Sequence, residues 1–158
     1  MNALSKIFKY FICKPIDRIM FYSFIRADKN TFSLLFNLFS FLNKSKNRVY
    51  FRENYYYNTE INWRFFHKKQ GLYAYGNGFG KRKKELKSIY LIDQIEFKNN
   101  DVVIDIGANN GDFYLCFNKN IDYHGYEPSP KVFSNLKYNI KHNHVYNLAL
   151  SNVVNKNI

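Results

Sequence analysis

The sequence predicts an α/β domain, with a parallel β-sheet in its last third and a helical region before it. Three observations carry this reading. Val102-Val103-Ile104-Asp105-Ile106 is a β-branched apolar run of strand length, suited to a parallel strand buried on both faces. It runs directly into Gly107-Ala108-Asn109-Asn110-Gly111, followed by Phe113, Cys116 and Phe117 at helical spacing. From Asp101 onward strand and helix signals alternate with short links, the rhythm of parallel β-α-β construction.

The 158 residues suffice for one domain with a real core and fall short of two. Two regions are expected: 1–84, helical or irregular, and 85–158, the start of the α/β unit. In the first, Thr31–Leu42 places Phe32, Leu35, Phe36, Phe39 and Leu42 on one helical face, with Ser33, Asn37 and Ser40 opposite. The polar face lacks the basic residues of an interfacial membrane helix, so packing on the domain is favoured over peripheral membrane contact. Gly76-Asn77-Gly78-Phe79-Gly80 has no strand before it and no lysine at P-loop spacing, so it reads as a surface turn or short hairpin. Leu86, Ile89, Tyr90 and Ile92 or Ile95 suit one face of a helix ending near Phe97.

The expected elements of the second region are strands near Val102–Ile106, Asp122–Tyr126 and Val145–Leu148. Helices are expected at about Gly111–Lys119 and Pro130–Lys141. Ser129 can cap the last helix and Pro130 suits its first position. The crossover rule orders the sheet 3-2-1.

The glycine turn is the candidate site. Gly107 lets the chain turn sharply off the strand. Gly111 lets the next helix start close to the sheet or a ligand, and free N–H groups at a helix start favour an anionic group. Glu127 follows Gly107 by 20 positions, at the tip of the second strand. There a carboxylate can accept hydrogen bonds from paired ribose hydroxyls. Asn109 stands where a dinucleotide fingerprint needs glycine, which argues against a nicotinamide cofactor.

Val103-Ile104-Asp105-Ile106-Gly107-Ala108-Asn109-Asn110-Gly111-Asp112, Tyr126-Glu127-Pro128-Ser129-Pro130 and Asn147-Leu148-Ala149-Leu150-Ser151 resemble successive motifs of the FkbM family of S-adenosylmethionine-dependent methyltransferases. The resemblance covers about the last third of the chain. It implies a partial Rossmann-like (class I methyltransferase) parallel sheet and S-adenosylmethionine as cofactor. Carried over by position, Asp105, Gly107, Ala108, Asn109 and Gly111 would line the methionine side, Glu127 the ribose and Ala149 the adenine. It further implies O-methylation of a sugar, glycan or secondary metabolite. A complete domain of this type has further strands after the third, so the resemblance implies a truncated copy, no identified catalytic residue, and weak or absent activity of this chain alone. The alternative is a non-catalytic binding protein retaining a degenerate half-site. In a truncated copy of either kind the first strand's unpaired edge would be covered by the N-terminal region, by a partner chain, or not at all.

Composition narrows the remaining classes. The net charge of +12 favours anionic partners. The basic residues are spread along the chain, however, without a recognisable RNA-binding motif, and nucleic acid is not favoured. The densest run, Lys81-Arg82-Lys83-Lys84, reads as a solvated helix start. The aromatic content of 20% reads as a compositional bias. Cys13 and Cys116, two distant cysteines, do not make a disulfide framework, and the chain reads as reduced and cytoplasmic. His142-Asn143-His144 reads as a solvated pair at a helix end, and His67 and His124 have no evident partners. No metal is expected.

Overall fold

The structure is a computed structural model that describes residues 22–118, 120–141 and 144–151. Cys13 and His142 lie outside these residues. In chain order the elements are α1 (Lys29–Leu42), β1 (Val49–Arg52), β2 (Tyr55–Asn58), β3 (Trp63–Phe65), α2 (Lys68–Tyr75) and α3 (Phe79–Ile89). There follow β4 (Val102–Ile106), β5 (Asp122–Tyr126), α4 (Pro130–Asn139) and β6 (His144–Tyr146). Short 3-10 turns occupy Ile92–Gln94 and Asp112–Cys116. No helix among the described residues is long and apolar enough to cross a membrane.

The C-terminal sheet is parallel, in the order β4-β5-β6, as the expected 3-2-1 order requires. Its first two strands fall where the sequence places them. The third runs His144–Tyr146, one residue earlier and shorter than expected. The segment after Gly111 is a five-residue 3-10 turn rather than the expected helix over Gly111–Lys119. Phe113 and Phe117 still share one side, packed on buried Cys116 with Leu86 and Ile92. Burial pushes the Cys116 thiol up to about 11, the behaviour of an inert core thiol. Pro130 opens α4 as expected, but Ser129 makes no side-chain cap. Leu136 and Ile140 form the buried stripe of α4, and Phe133 is partly buried.

β4 is not buried on both faces. Val103 and Asp105 point inward, while Val102, Ile104 and Ile106 point outward, with Ile104 60% exposed. An apolar run specifies the strand without itself supplying cover for the outer face. Among the described residues β4 is also an edge strand, paired only with β5.

The N-terminal region holds a second sheet that the sequence reading did not anticipate, an antiparallel meander β1-β2-β3. The Glu53-Asn54 turn, with both residues at positive φ, joins β1 to β2. α1 begins at Lys29 because Asp28 caps it, accepting from the Asn30 and Thr31 N–H groups. Its buried face is Phe32, Ser33, Phe36 and Ser40, whereas Leu42 is exposed. The helix is thus rotated from the expected face. Asn37 explains part of the rotation, because its amide bonds both the N–H and the C=O of Val49 and fixes the helix against β1.

The aromatic excess builds the core. Phe32 meets Tyr56 edge-on at 4.9 Å, Tyr56 stacks on Phe65 at 5.4 Å, Phe65 meets Tyr75 at 5.5 Å, and Tyr75 stacks on Phe79 at 4.7 Å. This file of rings links α1, the meander, α2 and α3. It belongs to one cluster with Ala108, Ile121, Tyr123, Leu136 and Ile140, so both regions share a core. α3 runs continuously through the expected boundary at 84/85. Gly76 ends α2 and Gly78, at φ +84, begins α3. The glycine run is therefore a largely buried helix–helix turn, not a surface hairpin. α3 stops at Ile89, and Leu91 is left-handed at φ 53. That break leaves Ile89, Tyr90 and Ile95 exposed, while Leu86 and Ile92 are buried.

Candidate functional site

The glycine turn sits at the C-terminal end of β4, beside the tip of β5, where ligands bind in open α/β sheets. Gly107 has φ +79, and a Cβ placed there would meet nothing within 4 Å. Glycine is required by the left-handed backbone, and the space in front of it is open. Asn109 is also left-handed, at φ 53, a conformation asparagine tolerates. Gly111, at φ +89, has the opposite surroundings: a Cβ would lie 2.5 Å from Ile140 Cδ1 and 3.0 Å from Leu136 Cδ1. Gly111 thus serves close packing of the turn on α4.

The N–H groups of the turn are largely engaged. Those of Gly107 and Ala108 both donate to Tyr126 O at 2.9 Å, and that of Gly111 donates to Ala108 O. The Asn109 N–H donates to Glu127 Oε2 at 3.1 Å. The expected open anion cradle at a helix start is therefore replaced by a self-bonded turn leading into a 3-10 segment. Glu127 is only 8% exposed. Its Oε1 accepts from the Ser129 N–H at 2.9 Å, so the carboxylate clamps the tip of β5 to the glycine turn. Each oxygen keeps a second lone pair for a further donor. Asn147 holds the following segment by donating to Glu127 O and Pro128 O. Ala149 lies in exposed chain beyond β6.

Asp105 accepts from the Tyr123 hydroxyl at 2.5 Å. Burial raises its carboxyl above the usual carboxylate range, opposed by the Tyr123 bond and reinforced by Asp112 and Glu127. The Tyr123 phenol is pushed far up, first by burial and then by Asp105.

Several residues at the site were not singled out from sequence. Arg82 of α3 pairs with buried Asp112 at 2.6 Å, and Lys83 reaches Asn118. The basic run thus does open a helix, but half of it packs on the segment after the glycine turn. Gln70 donates to Asn109 Oδ1 at 2.6 Å. Asn110 is fully buried: its side chain bonds the Tyr75 hydroxyl and the Asn135 amide, and its C=O accepts from Asn139. Asn139 and Asn135 in turn hold Arg64 of β3, whose guanidinium lies between the Tyr55 and Tyr138 rings. This network ties the meander to the turn. Its partners are tens of residues apart, so no local spacing announces them. Beside Asn109 an open cleft of about 580 Å³ is lined by His67, Lys69, Gln70, Tyr73 and Val132.

On the outer sheet face, Asp122, His124 and His144 converge, although the sequence gives His124 no evident partner and sets His144 with His142 in a solvated pair. Comparison of the chain with family models, curated proteins and solved structures finds no match.

Proposed function

We propose that this chain binds S-adenosylmethionine at the Gly107–Asn109 turn and acts as an FkbM-type methyltransferase domain on a hydroxyl of a sugar or small metabolite. The observation that carries the reading is Gly107: a left-handed glycine at the tip of β4, open in front, with the β5 carboxylate Glu127 locked onto the same turn. The remaining lone pairs of Glu127 suit ribose hydroxyls. Gly107, Ala108 and Asp105 would border the methionine end, with the Asn109 cleft beside them. When bound, the cofactor supplies a methyl group on a sulfonium. The residues of this chain orient it, and transfer can rest largely on proximity to an aligned hydroxyl. No catalytic base is assigned among the described residues.

A second reading, a binding protein without turnover, is favoured by the internally bonded N–H groups of the turn. Calorimetry with S-adenosylmethionine, its demethylated product and NAD tests the first reading. Binding of the first two, absence of NAD binding, and at least tenfold loss in Gly107→Val and in Glu127→Gln are expected, with circular dichroism confirming that the variants fold. Equal affinity in wild type and both variants would refute the half-site. Binding without methyl transfer to any hydroxyl acceptor would favour the second reading.

A further inference from the structure

We infer that Asp122, His124 and His144 form a binding site for a divalent transition-metal ion of the zinc class on the outer face of the parallel sheet. The inference is independent of the methyltransferase reading, because these side chains lie away from the glycine turn.

The placement follows from strand geometry. Asp122 and His124 are two residues apart on β5, so they project from the same face. His144 of β6 stands directly beside His124 in the parallel register. Asp122 Oδ1 lies 3.1 Å from His124 Nε2 and 3.9 Å from His144 Nε2. One ligating atom from each residue falls within 4.8 Å of the other two. The imidazoles are stacked, with centroids 4.8 Å apart and planes 20° from parallel. Tetrahedral zinc with bonds of about 2.0–2.1 Å needs ligand atoms a little over 3 Å apart. Side-chain rotation alone can close that gap, with the backbone already fixed by the ladder.

The donor chemistry selects the ion. Two imidazoles and one carboxylate suit zinc, nickel, cobalt or copper, whereas magnesium and calcium prefer oxygen sets. Asp122 supplies a local negative charge in a chain of net charge +12, and the pair has apolar neighbours. Ile104 lies beside His124 in register, and stacked Tyr126 and Tyr146 occupy the next rung. Three protein ligands leave positions open for water or a further ligand.

The test is titration of the metal-free full chain with Zn(II) by calorimetry and with Co(II) by visible absorption. One ion per chain is expected, with d–d bands of a low-coordinate nitrogen-oxygen site. His124→Ala, His144→Ala and Asp122→Asn should each weaken binding at least tenfold, and His67→Ala should leave it unchanged. Circular dichroism keeps unfolding separate from ligand loss. Absence of saturable binding would overturn the inference. So would binding that survives the His124→Ala/His144→Ala double variant, or binding lost only on changing His67 or His142.

Discussion

The two sheets of this chain reverse each other's legibility and burial. The parallel sheet announces itself through an apolar β-branched run and a glycine turn, yet the outward side chains of β4 remain exposed. The antiparallel meander carries no such run, yet Tyr56, Trp63 and Phe65 are among the most buried side chains. Strand formation and strand burial are thus separate properties. A β-branched run favours extended backbone locally, whereas burial depends on which distant elements arrive to cover it. α1, α2 and α4 pack on the meander.

The largest way to break this contrast is at the ring file. Phe65→Ala removes a fully buried ring between Tyr56 and Tyr75 and should cost about 3–5 kcal/mol. Denaturant melts measure it. Next come the two glycines of the turn. Gly111→Ala drives a methyl group into Ile140 and Leu136 in a left-handed backbone, and should cost about 1–3 kcal/mol from overpacking alone. Gly107→Ala meets open space and should cost only about 1–2 kcal/mol, from backbone strain. Equal losses at the two positions would contradict the difference between a glycine packed on α4 and one facing open space.

Asp105 gives a pH test. Its carboxyl is raised in the folded chain, chiefly by burial, so the folded state holds the proton to higher pH than the unfolded chain. That contribution to stability is present below the unfolded pKa and is lost as pH rises through the raised folded value. Asp105→Asn should therefore gain on wild type between about pH 3.5 and pH 7, in denaturant melts at both. A constant difference would contradict the shift. The smallest effect is expected on the outer face: Ile104→Thr should change stability by no more than about 0.5 kcal/mol. A loss of several times that would show the face is covered.

The strands β4 and β5 were legible because their signals are local: a short run, a turn, an acidic residue at fixed spacing. The segment after Gly111 was misread because Phe113, Cys116 and Phe117 satisfy either a helix or a tight 3-10 turn, and contacts with Leu86 and Ile92 decide between them. The meander was hidden in Tyr55-Tyr56-Tyr57, whose alternation is masked by identical residues. The Arg82–Asp112 pair, the Asn110 network and the Asp122–His124–His144 cluster depend on tertiary proximity. Arg82 stood out only as part of a basic run and His124 and His144 only as histidines; the pairing of the two histidines needed the register of β5 and β6.

The proposed seating of the adenosyl cofactor on the Gly107–Asn109 turn and Glu127 has a direct test. The most direct measurement is amide chemical-shift perturbation in the isotope-labelled full chain on adding demethylated S-adenosylmethionine. Saturable shifts concentrated at Gly107, Ala108, Asn109 and Glu127, with the amides of β1 and β2 unmoved, are expected. Saturation with shifts confined elsewhere, or no shifts at millimolar ligand, would contradict it.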